Sequence, residues 1–262
     1  MSIITNENRI GNITSSEIVA LMSNGKTKGE PGAPFKTYIE ETNMERLHGL
    51  SISTESNARP LTWGKFLEKR VFNLLGLEYK ECSQETILNP EIDYWSGSPD
   101  GEKFDVGKTV IDVKCPITRK SFSRLVEPIM KGLSGTAAID YLRENDDKSK
   151  SHEKYYWQLV SNACHTDAGF AELIVYMPYF SELEEIRDAA SNLDDPEKQY
   201  RYKWIAFAND DELPYLKENH YYKNLNIIRF PVPQSDKNAL KERVEMAGKL
   251  LIPRRQNFDK LI

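Results

Sequence analysis

The chain has 262 residues, 39% hydrophobic and 29% charged, and 35 Lys and Arg against 40 Asp and Glu leave a net charge of −5. These values describe a globular chain with a buried core, and they exclude collagen-like, low-complexity and wholly disordered proteins. The acidic total argues against a nucleic-acid partner only if charge is even. It is not: residues 182–218 carry eleven acids against five bases, whereas six bases between Lys108 and Lys131 face only Asp112 and Glu127.

Thr14-Ser15-Ser16-Glu17 predicts a capping box, opening a helix through Ile18, Val19, Leu21 and Met22 to Gly25. A Gly, Pro and Lys loop leads to an amphipathic helix over 35–47. A third helix over 61–75 sets Phe66, Val71, Phe72, Leu74 and Leu75 on one side, with Gly76 as its stop. Three helices are thus expected before the first strand. Strands follow at 83–88, 92–96 and 109–113, with a Ser98-Pro99-Asp100-Gly101 turn before the last. Helices over 121–130 and 154–165 lead to a strand over 171–177. Beyond Pro178 the pattern predicts a strand at 203–208, a short helix at 211–219, a strand at 225–230 and a final helix over 237–251. There is no internal repeat.

Cys82, Cys115 and Cys164 are odd in number and form no Cys-x-x-Cys pair, which fits a reducing compartment. No apolar run approaches the ~20 residues of a membrane span, and the first residues lack a signal-like pattern. A cytoplasmic protein with no membrane partner is expected.

The most informative spacing runs from Ser98-Pro99-Asp100-Gly101 to Ile111-Asp112-Val113-Lys114. Alternate residues of a strand face the same way, so Asp112 and Lys114 share a face, and a hairpin brings Asp100 to the same sheet edge. Two hard carboxylates, with the Val113 carbonyl nearby, suit Mg²⁺ or Mn²⁺. A lysine beside them can orient a water or stabilise a phosphoryl transition state, so phosphodiester hydrolysis is the reaction these parts suit. Either fragment alone is also an ordinary turn or a surface ion pair.

The flanks carry more. Arg9-Ile10-Gly11-Asn12-Ile13-Thr14-Ser15-Ser16, Trp63-Gly64-Lys65 with Glu68, Ser98-Pro99-Asp100-Gly101, Asp112-Val113-Lys114-Cys115-Pro116 and Tyr155-Tyr156-Trp157-Gln158 stand in that order. The set resembles the phage lambda-type exonuclease family, also called the YqaJ-like viral recombinases, of the PD-(D/E)xK nuclease superfamily. The resemblance covers residues 9 to about 178. It implies an α/β (α+β) fold with a restriction-endonuclease-like core, a mixed central sheet flanked by helices. Residues 1–262 would form one nuclease domain, the part from about 179 onward packing on the motif-bearing core.

By the same resemblance, Asp100 and Asp112 would bind the metal with Val113, and Lys114 would act on the water or the scissile phosphate. Glu68 would complete the acidic site directly or through a water, and Gln158 would hold the site or the DNA end. Arg9, Ser16 and Ser98 would help form a pocket for the 5′-phosphate, with Arg119 or Lys120 assisting. The activity implied is Mg²⁺-dependent 5′-to-3′ digestion at the ends of linear double-stranded DNA, leaving 3′ overhangs for phage-type recombination. A homotrimeric ring and a single-strand annealing protein as partner are further implications, as is a bacterial host cytoplasm if a phage encodes the chain. An endonuclease or structure-specific nuclease of the same superfamily stays open, as does a non-catalytic DNA-end-binding protein. The second acid is Asp where close relatives carry Glu, one methylene shorter. His152 and His165 read as helix-end or surface residues, the aromatics Tyr155, Tyr156 and Trp157 as core, and the polar insert 143–153 and the acidic run first as solvated flanks, with oligomer contacts or a partner surface as the alternatives.

Overall fold

The computed structural model describes residues 8–27, 29–52, 58–82, 86–146 and 150–254. It begins with a short strand, β1 (Ile13–Thr14), and a 3-10 turn at Ile18–Met22. The expected capping box does not form, because its two side chains are taken elsewhere. Thr14 Oγ1 lies against Ser16 Oγ and the Tyr38 hydroxyl, and the Glu17 carboxylate accepts from Lys154 Nζ at 2.9 Å. A strand therefore precedes the helices.

Helices α1 (Ala33–His48) and α2 (Arg59–Leu74) follow, each with a proline in its first turn, where the missing N–H would have no partner within the helix. The α1 helix ends on Gly49 in the left-handed region, φ 67°. Gly76 is not the stop of α2, since Leu75 is already extended. Five short strands come next: β2 (Tyr79–Glu81), β3 (Ile87–Leu88), β4 (Trp95–Gly97), β5 (Gly101–Lys103) and β6 (Thr109–Lys114). The strand expected over 83–88 has its first three residues outside the described ones, and its end is β3. Only Trp95 and Ser96 of the strand expected at 92–96 join β4, and β2 and β5 were not foreseen.

Three helices form the crossover from β6 to the next strand: α3 (Arg119–Met130), α4 (Gly135–Glu144) and α5 (Ser151–Thr166). Thr118 caps the first of them, its hydroxyl accepting from the Ser121 N–H at 3.1 Å. Strand β7 (Phe170–Tyr176) leads to α6 (Leu183–Ser191), α7 (Pro196–Ala206), β8 (Leu225–Pro231) and α8 (Gln234–Gly248). The strand expected at 203–208 is a misreading, because most of it is the last turn of α7. Asp195 caps that helix, accepting from the N–H groups of Glu197 and Lys198, Pro196 opens it, and Tyr202 and Ile205 bury one side. The short helix expected at 211–219 is also absent. There the chain runs beside Tyr179, with Leu216 N–H donating to Pro178 O at 2.8 Å and Phe180 N–H to Leu216 O at 2.9 Å.

The main sheet has the order β2-β5-β6-β7-β8, antiparallel except where β6 and β7 run parallel. A smaller sheet, β1-β4-β3, stands beside it. Alternation along β6 and β7 feeds two cores. Val110, Ala171, Leu173 and Val175 pack with residues of α3, α4, α5 and α8, while Ile111, Ile174 and Tyr176 pack with residues of α2, α6 and α7. The acidic run is not wholly solvated: Arg70 of α2 holds Glu182 and Glu185 at 3.0 and 2.8 Å. The three cysteines are free, and among the described residues no helix is long and apolar enough to cross a membrane.

Candidate active site

The pairing of β5 with β6 sets Gly101 opposite Ile111, and the Asp100 N–H donates to Ile111 O at 3.2 Å. One step further along the ladder, Asp100 lies across from Asp112. Lys114, two residues on, shares the face of Asp112, and its Nζ stands 2.6 Å from Asp112 Oδ2. Asp112 has no exposed surface, and its Oδ1 has no hydrogen-bond partner among the described residues. Asp100 Oδ2 accepts from the Val113 N–H at 2.7 Å.

Two glycines bracket the turn that carries Asp100. A Cβ on Gly97 would fall 2.4 Å from Ser15 Oγ and 2.5 Å from the His165 ring, and one on Gly101 would fall 2.4 Å from the Phe72 ring. Only glycine lets β4 lie this close to α5, and β5 this close to α2.

The electrostatics follow from crowding three acids into a poorly solvated place. Burial, then the charge of Asp112, pushes the Asp100 carboxyl well above its ordinary range. Burial raises Asp112 as well, with Lys114 opposing it. Glu68, from α2, is pushed up to about 7 by burial, with Glu81 and Asp112 adding to it. For Lys114, burial alone would favour the neutral amine, but the carboxylates of Asp112 and Asp100 outweigh it and raise its pKa. The ammonium also sits 4.8 Å over the Tyr155 ring.

These groups lie in or against a cleft of about 950 Å³. Its walls include Glu68, Asp100, Val113, Lys114 and Gln158, together with Arg9, Ser16 and Ser98. Ser98 Oγ is 3.0 Å from Thr86 Oγ1, and Ser16 Oγ is 3.3 Å from Thr14 Oγ1, so each hydroxyl is oriented by a threonine that also lines the cleft. Nearly every residue singled out from the sequence thus comes to one cavity, with Asp112 buried beneath it.

Arg119 and Lys120 do not. Arg119 Nε donates to Tyr215 O at 3.1 Å and its guanidinium lies 4.8 Å over the Tyr215 ring, in a separate pocket, while Lys120 is exposed and lines neither. The reason is helical: α3 starts at Arg119, so the residue two further on, Ser121, points nearly the opposite way and lines the cleft instead.

Sequence reading also missed Lys65 and Tyr155. Each stands three residues before a foreseen one, Glu68 and Gln158, on the same helix face, and that spacing was the available signal. Tyr156 and Trp157 are core, as expected, but Tyr155 is a cleft wall. His152 and His165 stand at the two ends of α5, as expected, but both are buried; burial lowers His165 to about 4, and its ring stands edge-on to Trp95.

Among the described residues no group of three His, Cys, Asp or Glu is close enough to share an ion. The donor set still fits a hard divalent cation of the Mg²⁺ type. A buried carboxylate oxygen without a donor among the described residues, opposite a second carboxylate, is the arrangement such an ion satisfies while keeping several of its waters.

No family model matches the sequence, and no curated protein matches it. Solved structures do. The chain is similar to an alkaline exonuclease from Laribacter hongkongensis, with 18% identity, 94% of this chain and 90% of that chain covered, and a TM-score of 0.55. The same enzyme in complex with dAMP gives 16% identity, 94% and 90% coverage and a TM-score of 0.53. A phage-related exonuclease from Haemophilus somnus 129PT gives 16% identity, 91% and 92% coverage and a TM-score of 0.56. The α/β fold with its mixed sheet is therefore the fold of these exonuclease structures.

Proposed function

We propose that this chain is a Mg²⁺-dependent exonuclease, also served by Mn²⁺, that digests the 5′-ended strand from the ends of linear double-stranded DNA and leaves a 3′ overhang. The observation that carries the proposal is one cleft holding Asp100, Lys114 and Glu68 over buried Asp112, with Arg9, Ser16 and Ser98 in its walls. The fold shared with exonuclease structures supports it.

In this reading Asp100, Asp112 and the Val113 carbonyl would hold the cation, and Glu68 would complete the acidic site directly or through a water. A cation held there would supply a water of lowered pKa and offset charge on the phosphoryl oxygens. Lys114, kept charged by its two carboxylates, orients the attacking water or meets the developing negative charge. Arg9, Ser16 and Ser98 donate to a terminal 5′-phosphate, which favours ends over internal sites and fixes the bond presented for cleavage. Gln158 holds the DNA end. The resemblance extends the proposal to a homotrimeric ring serving recombination with a single-strand annealing protein. Sedimentation at working concentration tests the ring, and a monomer would remove it.

The decisive test offers linear and covalently closed circular duplexes with Mg²⁺. The expected outcome is digestion of the linear form alone, faster with a 5′-phosphate than with a 5′-hydroxyl. Equal cutting of the circle would make the chain an endonuclease. End binding without cleavage at any metal concentration would make it a DNA-end-binding protein.

A further inference from the structure

Beyond the cleft, the first turn of α3 separates a second cavity of about 340 Å³, lined by Arg119, Tyr215, Leu216, Lys217, His220 and Tyr222. Residues on both sides of that turn tie the two cavities together: Ser121 lines the cleft and Arg119 the second pocket. Among the described residues the lining holds two cations, an imidazole and two phenol rings, and no carboxylate. Glu218, the nearest acid in sequence, turns to the Ser181 N–H at 2.8 Å.

The aromatic surface continues past the lining. Phe180 is half exposed and its ring lies 5.0 Å from Tyr215, while Tyr221, 71% exposed, stands edge-on to Tyr222 at 5.5 Å. Exposed rings beside cations that have no carboxylate partner among the described residues are the two parts of a nucleotide site: the π-faces take bases of any sequence, and the cations follow the phosphates. The volume is at the small end of ligand pockets and is of the size that takes one nucleotide unit.

We propose that this pocket is an accessory subsite for a nucleotide unit, its base against Tyr215 and its phosphate against Arg119, Lys217 and His220. The occupant is single-stranded DNA adjoining the cleft, and the same chemistry would accept a released mononucleotide. The proposal rests on the nuclease reading for the origin of the strand, but not for the binding itself.

The test measures binding of a fluorescent twelve-residue oligothymidylate and, separately, of thymidine 5′-monophosphate to the whole chain in EDTA, where no cleavage occurs. The wild type is compared with Tyr215→Ala, which removes the stacking face, and with Lys217→Glu and His220→Glu, which alter only exposed positions. Oligothymidylate affinity is expected to fall about tenfold in each variant, with a shallower salt dependence for Lys217→Glu. A variant-sensitive affinity for the monophosphate alone would assign the pocket to released product. Unchanged affinity for both probes in the folded charge-reversal variants would overturn the proposal, whatever the nuclease assay gives. Variant-sensitive binding by a chain that cleaves nothing would keep the subsite and remove the nuclease reading.

Discussion

At the scale of single residues, the site keeps acids where water cannot reach them, and that shapes its response to pH. A buried carboxylate is costly to ionise without a partner, and Asp112 has one oxygen against Lys114 and the other without a hydrogen-bond partner among the described residues. Glu68 carries the same strain to the cleft wall, with a folded-state pKa of about 7 against an ordinary 4.5. Because that value is raised, its stabilising contribution is complete below about pH 4.5 and is lost as pH climbs through about 7. Thermal melts without divalent cation should therefore show stability falling across that window, less so in Glu68→Gln; an equal decline in both proteins would remove Glu68 as its source. Cleavage should rise over the same window, since the acids must shed protons before they can hold a cation. Lys114→Ala should lower the cleavage rate by a factor on the order of a hundred or more with the circular dichroism spectrum intact. Wild-type turnover in that variant would take Lys114 out of the chemistry.

At the scale of elements, the β5–β6 hairpin and the faces of α2 and α5 do the assembling. The acid pair was legible in the sequence because both its causes are local, the alternation along β6 and the turn at 98–101. Glu68 and Gln158 were legible only through their resemblance to known motifs, since nothing in a helix announces which sheet edge it will meet. Arg119 was misplaced because one helical step decides which side of α3 it serves, and that step depends on the start of the helix. The strand misread at 203–208 has the same origin: its apolar residues look extended until the cap at Asp195 is counted. Gly101 offers the sharpest test of the hairpin. Gly101→Ala would drive a methyl into the Phe72 ring and the Lys80 carbonyl, 2.4 and 2.7 Å away. It should cost about 1–3 kcal/mol in chemical denaturation and reduce activity further by moving Asp100. A variant as stable and active as wild type would show that the turn can yield.

At the scale of the molecule, a negative total coexists with a cleft whose lining includes Arg9, Lys65 and Lys114. The acidic run finds part of its use in cohesion. Arg70 donates to Glu185, Glu182 and the Tyr176 hydroxyl, tying α2 to β7 and to the start of α6. Arg70→Ala should lower the unfolding free energy by about 1–3 kcal/mol, since Glu182 is left half-buried with fewer donors. Denaturation of that variant at wild-type midpoint would mark the cluster as decoration. A longer thread runs from the far edge of the sheet. In the loop after β5, Gly107 and Lys108 adopt left-handed φ values of 96° and 48°, and Asp105 holds both the Thr109 hydroxyl and Arg229 of β8. That loop lines neither cavity, yet it sets the phase of the hairpin. A slip of one residue would turn Asp112 to the opposite face while leaving Asp100 in place. The loop therefore acts as the ruler of the acid pair, and mutations there would act as errors of alignment at a distance instead of losses of contact.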